Sequence, residues 1–294
     1  MLTDPGLHVG AAAGTRGVIM AAVGPRYLAM ARTAAAGLRR HSPDIPVHLF
    51  TDRDSCEGPF DRVVRLTDPW HRSKIDAMLA APFERVLFLD ADVFVTADVS
   101  DVFDLLDRFD IALAHDQERN GHHAAAVWRR SFPACFPQFN SGVIAFRRTP
   151  EVLALLAAWR DAVRDHEMAR DQPALRELLW ESDLRIATLP PEYNLMDLSG
   201  VLIMKTSTLA PRIIHHYRIH RSSGPVPVSV EDMLGRATAV AIRGMVADDR
   251  YLTAKRVARS RNKRLLQIWM LLDVALRAMR TRAARVLAGF RGEG

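Results

Sequence analysis

The sequence predicts an α/β protein organised around a parallel sheet, on three observations. Strand-like and helix-like segments alternate through the first ninety residues, the pattern of a parallel α/β sheet. The apolar run Arg85–Val95 reads as a buried strand and carries two carboxylates, Asp90 and Asp92, at a sheet edge. Of 294 residues, 49% are apolar and 25% charged, the balance of a soluble globular chain long enough to bury a large core.

The elements follow in order. Val18–Val23 is a β-branched apolar run and reads as the first strand, broken by Gly24-Pro25. Tyr27–Arg40 is rich in Ala, Met and Leu and reads as a helix. Arg39 and Arg40 sit at its C-terminal end, where the dipole favours cations, and His41-Ser42-Pro43 stops it. Val47–Phe50 and Val63–Leu66 are short strands, Ser73–Ala81 a helix stopped by Pro82, and Val86–Leu89 the strand leading to Asp90. A short helix, Val102–Leu106, and a strand, Asp110–Ala114, come next. His115–Phe139 is long, polar and aromatic without a clear period, and loops of this length are often functional. Phe139–Phe146 is strand-like and Glu151–Val163 an amphipathic helix. Asp171 is a plausible N-cap for the next helix, with Pro173 in its first turn. Leu189–Asn194 is a rigid turn, and Ile213–Tyr217 a last buried strand containing His215 and His216.

Within one extended chain, residues two apart point the same way, so Asp90 and Asp92 are expected on one side of it at a sheet edge. Two close carboxylates among apolar neighbours repel unless a partner offsets them, and a divalent cation is the simplest partner. The leading expectation is therefore a metal–diphosphate site at the carboxyl ends of the strands, where open α/β sheets bind ligands. The second copy of the pattern, Asp52-Arg53-Asp54, is followed by Ser55, Gly58 and Pro59 and reads as solvated carboxylates on a turn.

The formal net charge is +6, but it is unevenly spread. Residues 251–294 hold eleven Lys or Arg and two acids, which leaves 29 basic and 32 acidic residues in 1–250. We therefore expect a main domain over 1–250 and a basic helical tail over 251–294. In the tail, Leu265, Ile268, Trp269, Leu272, Leu276, Met279, Ala283, Val286 and Phe290 recur at helical spacing. Either this helix packs on the body or a partner, or it lies on an anionic membrane. Nucleic acid is not an expected partner, because no recognition motif accompanies the charge. Cys56 and Cys135 form neither a metal-ligand spacing nor a disulfide framework, and a cytoplasmic setting is expected. Met1–Arg16 lacks the features of a secretory leader.

Taken in order, these blocks resemble the GT-A-fold nucleotide-sugar glycosyltransferases, closest in layout to retaining families eight and seventy-seven. The resemblance runs over about residues 17–221. It rests on Val18–Leu38, Leu49-Phe50-Thr51-Asp52, Leu87-Phe88-Leu89-Asp90-Ala91-Asp92, Phe139-Asn140-Ser141-Gly142-Val143, Asp171-Gln172-Pro173-Ala174-Leu175, Leu189–Asn194 and Ile213-Ile214-His215. It implies a mixed sheet with flanking helices and a manganese or magnesium ion. Asp92 is implied as its main carboxylate ligand, Asp90 as a ligand to the ion or a contact to the donor ribose, and His215 as the late histidine ligand. An imidazole beside carboxylates suits manganese better than magnesium. By the same resemblance Lys74 lies near the donor, Asn140 near the donor sugar, Asp171 on sugar hydroxyls and Gln172 near the anomeric carbon. Asn194 ranks lower as a contact, and Tyr27 either stacks on the nucleoside base or belongs to the core. The implied reaction moves a hexose, with UDP as the expected carrier, to a hydroxyl of a glycan, protein or lipid-linked acceptor. Retention by a front-face route is implied.

The chain departs from family eight after His215, where His216-Tyr217-Arg218-Ile219-His220-Arg221 replaces the usual glycine and lysine. Arg218 or Arg221 is the expected substitute on the diphosphate, since the guanidinium fork matches phosphate oxygens. A haloacid-dehalogenase-type phosphohydrolase also uses Asp-x-Asp after a strand, but there the motif normally opens the chain. A sugar nucleotidyltransferase would need its glycine loop after the first strand, whereas Gly14-Thr15-Arg16 precedes it. An inactive binding scaffold of the same fold is the remaining alternative.

Overall fold

The computed structural model describes residues 12–121, 124–198, 201, 208–216, 219, 224–249, 251–252, 268, 272, 275–276 and 279. The chain divides into two compact units, Met1–Asp197 with Pro211–Pro227, and Leu198–Ala210 with Val228–Gly294.

The first unit is built on a seven-stranded mixed sheet. Its strands are β1 (Ala12–Ala22), β2 (Val47–Thr51), β3 (Arg62–Arg65), β4 (Phe83–Leu89), β6 (Ile111–His115), β7 (Phe139–Arg147) and β8 (Ile186–Thr188), in the order β3-β2-β1-β4-β7-β6-β8. Strands β3, β2, β1 and β4 are parallel, as the alternating pattern predicts. The sheet becomes mixed at β7, which runs antiparallel to both β4 and β6, while β8 pairs parallel to β6. β8 escapes sequence reading because three residues are too few to show a period.

Helix α1 (Pro25–His41) starts just after Gly24, whose φ of 82° is one that L side chains rarely adopt. Proline in its first turn forgoes an amide that would lack an intrahelical partner, and Arg39, Arg40 and His41 meet the negative end of the dipole. Its buried face is Leu28, Met30, Ala31, Ala34, Ala35 and Leu38, the three- and four-residue spacing of a core stripe. Burial of each large side chain there contributes roughly 1.5–3 kcal/mol. α1 packs on β5 (Val93–Val95) so closely that a Cβ on Gly37 would lie 2.8 Å from the Val95 carbonyl oxygen. The helices α2 (Ser73–Leu79), α3 (Val102–Leu105), α4 (Pro150–Asp165) and α5 (Gln172–Glu181) complete this unit. Trp159 of α4 is fully buried in a core with Phe88, Phe146, Ile144 and Leu175.

One expectation needs correction. The run Arg85–Val95 is not a single strand: β4 ends at Leu89, and Asp90-Ala91-Asp92 forms a bend. β5 then enters a separate two-stranded sheet, antiparallel to β9 (Ile213–His215). Residues 93–95 are apolar because they are buried in the second sheet, so the run conceals the change of sheet. The segment 116–138 is irregular, as expected; Gln117 ties its start to Asn194, Met196 and Asp197, and residues around 129–136 are tied to α5. Arg129 bonds Glu177 and Glu181, Arg130 bonds Glu181, and Phe132 and Phe136 pack tilted and edge-on against Trp180.

The second unit contains α6 (Val230–Leu234) and α7 (Arg236–Ala247). The Ser229 hydroxyl accepts from the Asp232 amide as an N-cap, and Gly235 at φ 91° turns the chain between the helices. α7 buries Ala237, Thr238, Ala239, Ala241, Ile242 and Met245.

Candidate functional site

The bend after β4 and the end of β9 meet at one point. The register pairs Val93 with His215, which brings the imidazole beside the two carboxylates that precede Val93. Candidate ligand atoms of Asp90, Asp92 and His215 all lie within 4.8 Å of one another. That span is one a single divalent cation could fill, with Asp90, Asp92 and His215 as the residues that would hold it. Asp92 is buried, and His215 Nε2 stands 3.4 Å from its Oδ1. The bend thus achieves what an extended strand was expected to do.

The imidazole is held from behind. His215 Nδ1 lies 3.0 Å from Asn194 Oδ1, an atom that can only accept, so Nδ1 carries the proton and donates it. Asn194 Nδ2 donates to Asn140 Oδ1 at 2.9 Å, and the Gly142 amide donates to the same oxygen at 2.8 Å. This chain leaves Nε2 as the atom offered to Asp92 or to a cation, the usual arrangement behind a metal-binding histidine. Burial pushes the His215 pKa down, but Asp92 and Asp90 outweigh it and hold it above the ordinary value. The two carboxylates thus favour the protonated ring, and a divalent cation would compete with that proton at Nε2. Burial, reinforced by Asp92, lifts the Asp90 carboxyl above its usual range, against the opposing pull of Lys74 and His215. A pair of hard oxygen ligands with an imidazole of fixed tautomer fits a divalent cation.

Gly142 explains its own presence. A Cβ there would collide with His215 Cε1 and lie 2.7 Å from Nδ1 and 2.9 Å from Asp90 Oδ2. The structure shows that the ring and carboxylate of the centre itself occupy the space.

A second charged cluster adjoins the first. Lys74, in the first turn of α2, places Nζ 2.9 Å from Ser141 Oγ, 3.2 Å from the Ser141 carbonyl, 3.2 Å from Asp171 Oδ2 and 3.5 Å from Asp90 Oδ2. It is not a solvated helix-start lysine. Asp171 also accepts from Ser141 Oγ at 2.9 Å and pairs with Arg72 Nε at 3.3 Å, while its carbonyl accepts from Trp159 Nε1. Burial would raise the Asp171 pKa, but Lys74 and Arg72 hold it below the usual carboxylate range. Asp171 occupies the N-cap position of α5, yet its side chain makes no capping bond. The Lys74–Ser141–Arg72 cluster has taken that carboxylate instead.

The other expected residues are placed as follows. Asn140 is buried in β7, and its Nδ2 carries no hydrogen bond among the described residues. Gln172 is half-buried at the start of α5. Tyr27 is 46% exposed, so it is not a core residue. Arg218 lies outside the described residues. His216 is buried but outside the Asp90–Asp92–His215 group. Asp52 and Asp54 form no part of it either: Asp52 accepts from Thr51 and the Gly24 amide, and Asp54 pairs with Arg65 at the surface. Sequence reading missed Arg72 and Ser141 and undervalued Asn194. Arg72 carried no local signal, and the roles of the other two arise only when distant segments meet.

The nucleotide-diphospho-sugar transferase family matches the chain over residues 32–217, well over half of its length. No curated protein sequence matches it. Among solved structures it is similar to the glycosyltransferase GlyE of Streptococcus pneumoniae TIGR4, at 20% identity and a TM-score of 0.52 over 83% of this chain and 66% of that one. The apo form of GlyE aligns at 22% identity and a TM-score of 0.49, over 72% of this chain and 57% of that one. The chain therefore spans less than two thirds of either GlyE chain, and at this identity the first likeness concerns fold alone.

Proposed function

The chain belongs to the nucleotide-diphospho-sugar transferase family, and from that premise we propose that it is a metal-dependent glycosyltransferase. Its reaction moves a hexose from a nucleoside-diphosphate sugar, UDP-linked by preference, to a hydroxyl of a glycan, protein or lipid-linked acceptor. The observation that carries this reading is the convergence of Asp90, Asp92 and His215, with His215 oriented through Asn194. Both cysteines are unpaired, which supports a reducing, cytoplasmic setting.

In this reading Asp90, Asp92 and His215 hold manganese or magnesium, which when bound supplies Lewis-acid neutralisation of the departing diphosphate. Lys74 adds a fixed positive charge beside Asp90 and holds Asp171 ionised. An ionised Asp171 is acceptor-only and takes hydrogen bonds from sugar hydroxyls. The Asn140 amide group, its oxygen already committed, offers Nδ2 to the donor sugar. Gln172 follows Asp171 directly and supplies the contact nearest the anomeric carbon. Asp171 is engaged by two cations and a hydroxyl, a poor state for a covalent nucleophile. A front-face route fits better: the acceptor oxygen bonds to the anomeric carbon as the carbon–diphosphate bond breaks, and its proton passes to the departing oxygen. Retention of configuration follows.

A panel of UDP-, GDP-, ADP- and dTDP-sugars tests this with manganese present and the product anomer read by proton NMR. The expected result is turnover of one UDP-hexose with the donor's configuration kept. Turnover with inversion would remove the front-face route, and no turnover of any nucleotide sugar would remove the transferase reading.

A further inference from the structure

Ile268, Leu272, Ala275, Leu276 and Met279 are helical and exposed. The four large apolar side chains keep 54%, 57%, 49% and 58% of their surface open. At 3.6 residues per turn these five positions fall within an arc of about 100°, and the stripe is about 16 Å long. Isolated exposed apolar residues need no explanation, but four aligned on one helix face mark an interaction surface.

The surrounding sequence indicates what the surface meets. Residues 251–294 carry eleven Lys or Arg against Asp273 and Glu293, a net of +9. A second copy of the chain would bring two such charges together, which disfavours self-association through this face. Nucleic acid would use the charge and leave the apolar stripe in water. An anionic bilayer uses both: basic residues near its surface contribute about 1 kcal/mol each, and the apolar stripe enters the boundary between headgroups and acyl chains. In the sequence Gln267 and Asp273 break the apolar run of this segment well short of the length that spans a bilayer, so the fitting geometry is a helix lying in the interface.

We infer that residues 251–294 dock this enzyme on an anionic lipid surface through the Ile268–Met279 stripe and its basic flanks. The inference stands apart from the chemistry of the Asp90–Asp92–His215 centre, and it places the acceptor at a membrane. The test is co-sedimentation of the full chain with phosphatidylcholine vesicles containing about 30 mol% phosphatidylserine, or none, at low and high salt. Binding to the anionic vesicles is expected, at least about tenfold weaker at about 0.5 M salt and on neutral lipid. The double variant Leu272→Ser/Leu276→Ser keeps the charge and should lose about tenfold or more on anionic vesicles, with its melting curve unchanged. Equal binding to neutral vesicles, or a double variant that binds like the parent, would overturn the inference. So would absence of vesicle binding together with a dimer in sedimentation equilibrium that the double variant abolishes.

Discussion

A Gly142→Ala variant is expected to lose about 100-fold or more in manganese affinity and to fall at least as far in sugar transfer, although it adds only one methyl group. The added Cβ has nowhere to go: it would strike the His215 ring and lie 2.9 Å from Asp90 Oδ2. The backbone is held by two bonds, the Gly142 carbonyl accepting from Asp90 N at 2.8 Å and its amide donating to Asn140 Oδ1, so retreat toward the irregular β6 side would break both. The imidazole must therefore swing away, which breaks its bond to Asn194 and removes Nε2 from the carboxylates. Overpacking of this kind costs about 1–3 kcal/mol, so the variant should still fold. Manganese titration by electron paramagnetic resonance beside a thermal melt separates the two effects. Parental manganese binding in a folded Gly142→Ala protein would mean that His215 is not a ligand.

Lys74→Met should have the largest effect on stability. The ammonium group is the cation shared by buried Asp171 and Asp90, at 3.2 and 3.5 Å. Methionine matches its length and leaves both carboxylates behind. Removing one member of a buried ion pair costs about 3–5 kcal/mol, because the remaining charge stays desolvated. For a unit of this size the loss lowers Tm by roughly 6–20 °C. Part of the penalty is relieved by protonation of Asp90, whose pKa burial already raises. A cation between Asp90 and Asp92 relieves it further, so manganese should raise the Tm of Lys74→Met by more than it raises that of the parent. Scanning calorimetry with and without manganese checks this. A variant as stable as the parent would show that Lys74 is solvated and that the second cluster is incidental.

Much of the fold was legible because its signals are local. The β-branched run from Val18, the Ala- and Leu-rich stripe of α1 and the apolar lead into Asp90 each announce an element from neighbouring residues alone. The change of sheet at Asp90 was not legible, since Val93, Phe94 and Val95 are as apolar in the second sheet as they would be in the first. Asp90 and Asp92 were legible from residue type and spacing, whereas Lys74, Asp171 and His215 were singled out by the family resemblance. What joins them was not legible: Ser141 bridges Lys74 to Asp171, Arg72 balances Asp171, and Asn194 carries the hydrogen bond that orients His215. Such partners lie up to about a hundred residues away in sequence, as Arg72 does from Asp171, and no periodicity reports a contact of that range.

The central claim is that Asp90, Asp92 and His215 hold a cation for departure of a nucleoside diphosphate. Its most direct test is the release of nucleoside diphosphate from a nucleotide sugar, with and without manganese, in the parent and in Asp92→Ala. Manganese-dependent release, reduced about 100-fold or more in Asp92→Ala, is the predicted result. Release that ignores both manganese and the substitution would contradict the metal centre, and phosphate release from simple phosphoesters instead would contradict the transferase.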